Sequence, residues 1–214
     1  MARILVIGAS RGIGLETVKA LLARGHEVRA FARKASAIPL DDARLEKVDG
    51  NALDPASVAS ALAGVDAVVQ SLGVDFGVNA VVKGTTLFSS STRILVDAMK
   101  QKGPQRLVAV TGFGAGDSRG HGGLLYDAVM FPLVLKRVYD DKDISEQMIK
   151  ASGLEWTIAR PGILTNSAAG GAYQVLTDPE TWRAGPIARA DVGDFLAEEV
   201  TARRYVHQTP VLIN

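Results

Sequence analysis

The stretch RILVIGASRGIG, residues 3–14, is decisive for the fold because it joins a short apolar run to a turn with three glycines. A continuous apolar run such as residues 4–7 is typical of a strand buried on both faces of a parallel sheet. Apolar side chains then recur at helical spacing over residues 15–22, and Gly25 lies just beyond them. A strand, a glycine turn and a helix in this order predict the start of a βαβ unit.

Strand and helix patterns alternate along the rest of the chain. Further strands are predicted at residues 27–32, 45–48, 66–70, 106–111 and 155–159, and helices from residue 55 onward, at 84–100 and at 139–151. Beyond Gly162 the pattern weakens, and we expect a strand at 173–176, a helix at 191–201 and a last strand at 210–213. This alternation predicts the α/β class, a single Rossmann-type doubly wound parallel sheet with helices on both faces. We expect one domain over residues 1–214, with a small substrate-side portion at about 162–214.

The glycine turn is the strongest indication of function. Backbone at this place must reverse tightly, approach a diphosphate closely and let the helix pack against the strand, which are three reasons for glycine. The free N–H groups at the helix start then point at the phosphates, and the helix dipole assists. We therefore predict a dinucleotide site with contacts from Gly8, Ser10, Arg11, Gly12, Ile13 and Gly14.

Charges near the end of the second strand indicate which dinucleotide binds. An acid at that place would take the ribose hydroxyls of NAD, but no acidic residue occurs between Glu27 and Asp41. Arg33 and Lys34 follow the strand instead, and Arg11 lies inside the turn. Because arginine binds a phosphate through two parallel hydrogen bonds, these cations favour NADP(H) over NAD(H), with Arg33 as a contact of the cofactor. The alternative is that all three are solvated surface charges.

Composition excludes several other classes of protein. The chain has 214 residues, 24 basic and 23 acidic side chains, three histidines and no cysteine. Without cysteine there are no disulfides, thiolate metal sites or cysteine nucleophiles, and a reducing cytoplasm is the expected compartment. The histidines lie too far apart in sequence for a local metal motif, so no metal is expected. A net charge of +1 makes nucleic acid an unfavourable partner.

The most apolar stretch, residues 124–135, is not predicted to span a membrane. It carries Asp127 and Pro132 and is shorter than the roughly 20 residues that a span needs. We expect no membrane partner, and this stretch forms either a buried helix or a subunit contact. The oligomeric state is thus expected to be a monomer or a homodimer.

With these motifs, the chain resembles the short-chain dehydrogenase/reductases. The glycine spacing is theirs, and the segment SGLEWTIARPG, residues 152–162, is similar to their small atypical NAD(P)H-binding branch, which includes flavin reductase (biliverdin-IXβ reductase). The resemblance covers nearly the whole chain. It implies that Asn51 contacts the adenine edge and that Gly73 lies by the adenosine ribose. It also implies that Pro161 and Gly162 lie at the nicotinamide.

The catalytic pattern of standard family members is incomplete here. Those members use a serine after the fifth strand and a Tyr-x-x-x-Lys helix, whose tyrosine gives a proton to the substrate oxygen. Thr111 ends the fifth strand, and Gly112 stands at the serine position. Lys142 fits the family lysine, but Val138 precedes it by four residues. Tyr139 is about 100° away around a helix, so we expect it not to point into the same site. The resemblance thus implies Thr111 and Lys142 as cofactor contacts and the only catalytic candidates, without a tyrosine acid.

This absence favours one type of acceptor. Reduction of a ketone puts charge on an oxygen, which a positioned acid must quench. A flavin, quinone or linear tetrapyrrole delocalises the charge and takes its proton from water, so we expect an NADPH-dependent reductase of such a small planar acceptor. Two alternatives remain: a non-catalytic protein that senses NADP(H), and a carbonyl reductase or epimerase-like enzyme that recruits Tyr126, Tyr139 or His121. Phe113 is expected either to stack on the acceptor or to pack in the core.

Overall fold

The computed structural model describes residues 1–74, 85–121 and 136–214. Its strands are β1 (Arg3–Ile7), β2 (Glu27–Ala32), β3 (Leu45–Asp49), β4 (Ala67–Gln70), β5 (Arg106–Val110), β6 (Glu155–Pro161), β7 (Ile163–Thr165), β8 (Gln174–Leu176), β9 (Pro186–Ala188) and β10 (Val211–Ile213). The α-helices of this part of the chain are α1 (Gly12–Ala23), α2 (Pro55–Ala61), α3 (Leu87–Lys102), α4 (Lys136–Lys150) and α5 (Arg189–Ala202).

Eight of these strands form one sheet in the order β3-β2-β1-β4-β5-β6-β10-β8. Every neighbouring pair from β3 to β10 is parallel, and only β8, at the edge, pairs antiparallel to β10. The strand order reverses direction between β1 and β4. The carboxyl ends of these parallel strands meet at one edge of the sheet, where ligands bind in open α/β sheets. The predicted doubly wound parallel sheet is confirmed.

Alternate residues of β1 pack into two cores, which explains why this strand is apolar throughout. Ile4 and Val6 belong to a cluster that includes Phe195 of α5, whereas Leu5 and Ile7 belong to a cluster on the other face that includes Met99 of α3. Successive side chains of a strand point to opposite faces of its sheet. Burial on both faces therefore requires the apolar run seen in the sequence.

Helix α2 begins as its sequence predicts. Pro55 is its first residue, and the Asp54 side chain accepts a hydrogen bond from the backbone N–H of Ala56 at 3.2 Å. This contact satisfies one of the N–H groups that a helix leaves without a partner at its start. The predicted start of α2 at residues 54–55 is confirmed.

Other boundaries differ from the sequence prediction. Helix α4 already includes Lys136, three residues before the expected start at Tyr139, and β7 and β9 form a separate two-stranded parallel sheet that the sequence pattern did not show. The stretch 124–135 and Tyr126 lie outside the described residues. Within residues 1–74, 85–121 and 136–214, no helix combines the length and the apolar character needed to cross a membrane.

Candidate active site

The glycine turn lies at the carboxyl end of β1, between β2 and β4. The N–H of Gly8 donates to the carbonyl oxygen of Phe31 at 2.9 Å, and the N–H of Ser71 donates to that of Ile7 at 2.9 Å. A Cβ on Gly8 would overlap the Ser71 carbonyl, and one on Gly14 would overlap the Gly8 carbonyl. Glycine at both positions thus lets α1 pack directly against the end of the strand, as the turn of a dinucleotide site requires.

The amino-terminal end of α1 opens toward this turn. Arg11 stands at the N-cap position and its side chain makes no capping hydrogen bond, so the first-turn amides are not covered by it. Ser10 and Arg11 are exposed, while Ile13 is partly buried. Uncapped N–H groups and the positive end of the helix dipole together attract an anion. The residues present therefore fit the diphosphate of a dinucleotide.

The remaining predicted cofactor contacts lie around the same edge of the sheet. Arg33 is exposed and directly follows β2, the neighbour of β1. Asn51 is exposed after β3, and its side-chain oxygen accepts a hydrogen bond from the N–H of Leu53 at 3.0 Å. Gly73 follows β4, and no heavy atom of the residues that the structure describes lies within 4 Å of a Cβ added there. Arg33, Asn51 and Gly73 thus border the side of the turn where the adenosine half would lie.

Thr111 and Lys142 are in direct contact at the end of β5. The ammonium of Lys142 donates to the Thr111 carbonyl oxygen at 2.6 Å and lies 4.6 Å from the ring centre of Tyr139 and 5.2 Å from that of Phe88. Desolvation lowers the pKa of Lys142 to about 8, partly offset by the negative charge of Glu146. Lys142 is therefore close to its titration point near neutral pH, which is the range useful for proton transfer.

Tyr139 lies in this site, contrary to the argument from the helix angle. Its hydroxyl oxygen would be 2.7 Å from a Cβ on Gly112, and the Lys142 nitrogen would be 3.4 Å from the same point. Residues three apart on a helix are neighbours, so Tyr139 and Lys142 share a face of α4. The expectation that Tyr139 points elsewhere is wrong. Val138, at the usual donor position, is fully buried and packs with Phe88 and Ala115.

An ionic network centred on the buried side chains of Glu146 and Arg160 lies next to Thr111. The carboxylate of Glu146 accepts hydrogen bonds from the Thr111 hydroxyl at 2.7 Å and from Nε and Nη2 of Arg160 at 3.0 and 2.5 Å. Arg160 also pairs with Asp117 through Nη1 at 2.5 Å and lies 5.3 Å from the Trp182 ring centre. The sequence prediction missed this network, and an arginine within the apolar strand WTIARP was the signal that could have indicated it.

The nicotinamide side of the predicted site lies where β6 ends. The Pro161 carbonyl accepts a hydrogen bond from the Phe113 N–H at 2.9 Å, and the N–H of Gly162 donates to Leu212 at 2.9 Å. Phe113 is 2% exposed and packs with Trp182, which makes it a core residue rather than a stacking surface. His121 makes an edge-to-face contact with Trp182, with ring centres 5.6 Å apart.

Comparison with known proteins agrees with this geometry. Residues 8–203 match the model of a family described as NAD(P)H-binding. The chain belongs to this NAD(P)H-binding family. The family match confirms the resemblance to the atypical NAD(P)H-binding branch of the short-chain dehydrogenase/reductases. It also confirms NAD(P)H as the class of cofactor.

Individual relatives show how far the similarity extends. The structure of ChuY, an anaerobillin reductase from Escherichia coli O157:H7, is 26% identical with a TM-score of 0.78, covering 99% of this chain and 96% of that one. A short-chain dehydrogenase/reductase from Veillonella parvula DSM 2008, in complex with NADP, has a TM-score of 0.84. At 16% identity, with 100% of this chain and 94% of that one covered, it shows the fold alone.

A third relative is similar over only part of its length. The 3-beta-hydroxysteroid dehydrogenase of Mycolicibacterium neoaurum is 35% identical over 115 residues, which are 50% of this chain and 31% of that protein. The matched part is thus about half of this chain and about a third of that dehydrogenase.

Proposed function

We propose that this protein is an NADPH-dependent reductase that passes hydride to a small planar acceptor, such as a flavin, a quinone or a linear tetrapyrrole. The bound nicotinamide supplies the hydride. The observation that carries the proposal is the burial of Val138: the position that presents the acid in standard relatives faces packed side chains instead. An acceptor that spreads the incoming charge over a conjugated system has no need of an acid at that position.

The chain's own residues divide the work of holding the two reactants. The turn and the start of α1 bind the diphosphate, and Lys142 with the Thr111 carbonyl holds the nicotinamide ribose. The other proposed contacts are Arg11 and Arg33 at the 2′-phosphate, Asn51 and Gly73 at the adenosine, and Pro161 and Gly162 at the nicotinamide. Residues 162–214 form the acceptor side of a single domain. Holding the reacting faces roughly 3–3.5 Å apart is then the main catalytic task.

The comparison with ChuY supports a reductase of this kind. That protein is described as an anaerobillin reductase, and the two chains match over almost their full lengths. A bilin therefore belongs among the acceptors to be tested. The cofactor preference rests on charge, since Arg11 and Arg33 are the cations at the turn and at the end of β2.

A steady-state screen tests the proposal. NADPH and NADH are titrated first, and the preferred one is then mixed with FMN, riboflavin, a quinone and biliverdin while absorbance at the reduced nicotinamide band is followed. We expect tighter binding of NADPH and acceptor-dependent oxidation. Arg33→Ala should reduce the NADPH preference, whereas Arg183→Ala, an exposed arginine on the acceptor side, should not. Tight binding without oxidation of any acceptor would instead support a protein that senses NADP(H).

One observation favours a second function, the reduction of an isolated carbonyl group. The Tyr139 hydroxyl and the Lys142 ammonium both approach Gly112, as an acid and its electrostatic partner must. If Tyr139 gives a proton to the substrate oxygen, Tyr139→Phe should lower kcat on a ketone or aldehyde about 100-fold or more and leave NADPH affinity unchanged. Tyr205→Phe, on the other face of the sheet, is the matched control. Unchanged kcat in Tyr139→Phe would leave the planar acceptor as the better account.

A further inference from the structure

A carboxylate lies close to the place that distinguishes NADP from NAD. In dinucleotide-binding sheets the adenosine ribose lies at the end of the second strand, and an acid there selects NAD through the 2′-hydroxyl. The Cα of Asp49, the last residue of β3, pairs with that of Ala32, the last residue of β2. Asp49 is exposed, so its charge is one strand away from the position of an NAD-type acid. Left unrestrained, this charge would repel a 2′-phosphate.

Ser36 donates a hydrogen bond to each oxygen of the Asp49 carboxylate. Its backbone N–H donates to Oδ1 at 2.8 Å and its hydroxyl donates to Oδ2 at 2.8 Å. These hydrogen bonds hold the pKa of Asp49 below its ordinary value, so the group is charged at neutral pH. Ser36 belongs to a single 3₁₀ turn, Ala35–Ala37, that begins directly after Lys34. The contact therefore fastens the segment that carries Arg33 and Lys34 to the end of β3.

We propose that the Ser36–Asp49 pair determines the choice between NADPH and NADH. The pair has two effects. It directs the Asp49 carboxylate onto the backbone of the 35–37 turn and away from the ribose, and it fixes the position of Arg33 and Lys34 at the mouth of the site. Both effects admit a 2′-phosphate. This inference rests on the NADPH preference of the proposed function and adds to it the residues that set that preference.

Two substitutions of the pair have opposite expected effects. Ser36→Ala removes the partner of Oδ2, so the charged carboxylate gains freedom to face the ribose, and NADPH binding weakens while NADH binding improves. Asp49→Asn keeps an acceptor for the Ser36 N–H and removes the charge, so NADPH binding improves. An exposed charge about one Debye length or less from a phosphate changes affinity by about threefold to tenfold. A purely structural role would move both variants in the same direction.

The experiment measures Kd for NADPH and for NADH with the wild-type protein, Ser36→Ala, Asp49→Asn and the double variant. Ser60→Ala, an exposed serine of α2, is the matched control, and thermal melts establish that each variant is folded. We expect the NADPH preference to fall about threefold to tenfold in Ser36→Ala and to rise by a similar factor in Asp49→Asn. In the double variant the Ser36→Ala effect should shrink, because the charge it releases is gone. All these changes should diminish in high salt.

Each other result overturns a distinct statement. A wild-type protein that prefers NADPH, with a preference unchanged in both single variants or shifted the same way in both, refutes the role of the pair alone. A wild-type protein that binds NADH as well as NADPH refutes the proposed cofactor choice and this inference with it.

Discussion

The titration of Lys142 gives the most direct physical test of the site. The folded protein holds this ammonium on the Thr111 carbonyl and near two aromatic rings, where desolvation lowers its pKa from 10.5 to about 8. An unfolded chain keeps the proton up to about 10.5. Between these values unfolding takes up a proton, so the free energy of unfolding rises with pH. The charged lysine is therefore a cost to stability below pH 8 that is relieved as the pH increases.

The size of this effect follows from the two pKa values. The difference between 10.5 and about 8 corresponds to at most about 3.4 kcal/mol, at about 1.36 kcal/mol for each pH unit. It is an upper bound because the Lys142 side chain is only partly buried and its charge retains some hydration. Between pH 8 and pH 10 we expect about 2 kcal/mol of this gain.

Urea unfolding at a series of pH values measures this change in the free energy of unfolding. Other groups also titrate in this range, so the quantity to follow is the free energy of unfolding of the wild-type protein minus that of Lys142→Met. This difference should increase by about 2 kcal/mol from pH 8 to pH 10. With the ammonium needed at the nicotinamide ribose, kcat/KM should fall as pH rises through about 8. A pH-independent stability difference would refute the reasoning about burial of the charge.

Three further substitutions separate cofactor binding from stability. Gly14→Ala should weaken NADPH binding at least about tenfold, because the new Cβ overlaps the Gly8 carbonyl in the turn; unchanged affinity in a titration would contradict this role. Glu199→Gln should lower the free energy of unfolding by about 3 kcal/mol, since it leaves the buried Arg106 without its ion-pair partner at 2.6 Å. Its NADPH Kd should stay the same because the pair lies at the amino-terminal end of β5, and a large change would argue against that separation. Asp54→Ala should cost about 1 kcal/mol through the lost cap of α2, measured by urea unfolding, and no loss would mean that water replaces the cap equally well.

The fold was predictable from sequence where burial imposes a pattern on the chain. Strand β1 is covered on both faces, so its residues must all be apolar, and the run is visible in the order of residues alone. Strands β7 and β9 have three residues each, and a segment this short shows no period that distinguishes it from a loop. These two strands pair only because the fold brings Ile163 beside Pro186, and the order of residues along the chain gives no sign of that contact.

For the site as well, local features could be predicted from the sequence and contacts between distant segments could not. The glycine turn is local, so its strand, spacing and helix can be found together within residues 3–14. The Glu146–Arg160–Asp117 network joins α4, β6 and the loop after β5, and its members are distant from one another in sequence. Such contacts follow from the topology of the sheet. The only sign of these contacts in the composition and periodicity of the sequence is a charged residue within an apolar strand.

Tyr139 shows how a correct angle can support a wrong conclusion. One residue on a helix does correspond to about 100°, so Tyr139 does not occupy the place of Val138. The relevant comparison is with Lys142, three residues later, because three steps bring a side chain back to within about 60° of the same face. Gly112 completes the arrangement, since any side chain there would meet the Tyr139 hydroxyl. The absence of a side chain at Gly112 thus leaves the room that the Tyr139 hydroxyl takes up. Adding a serine hydroxyl at position 112 should therefore disturb Tyr139 rather than restore the usual catalytic pattern.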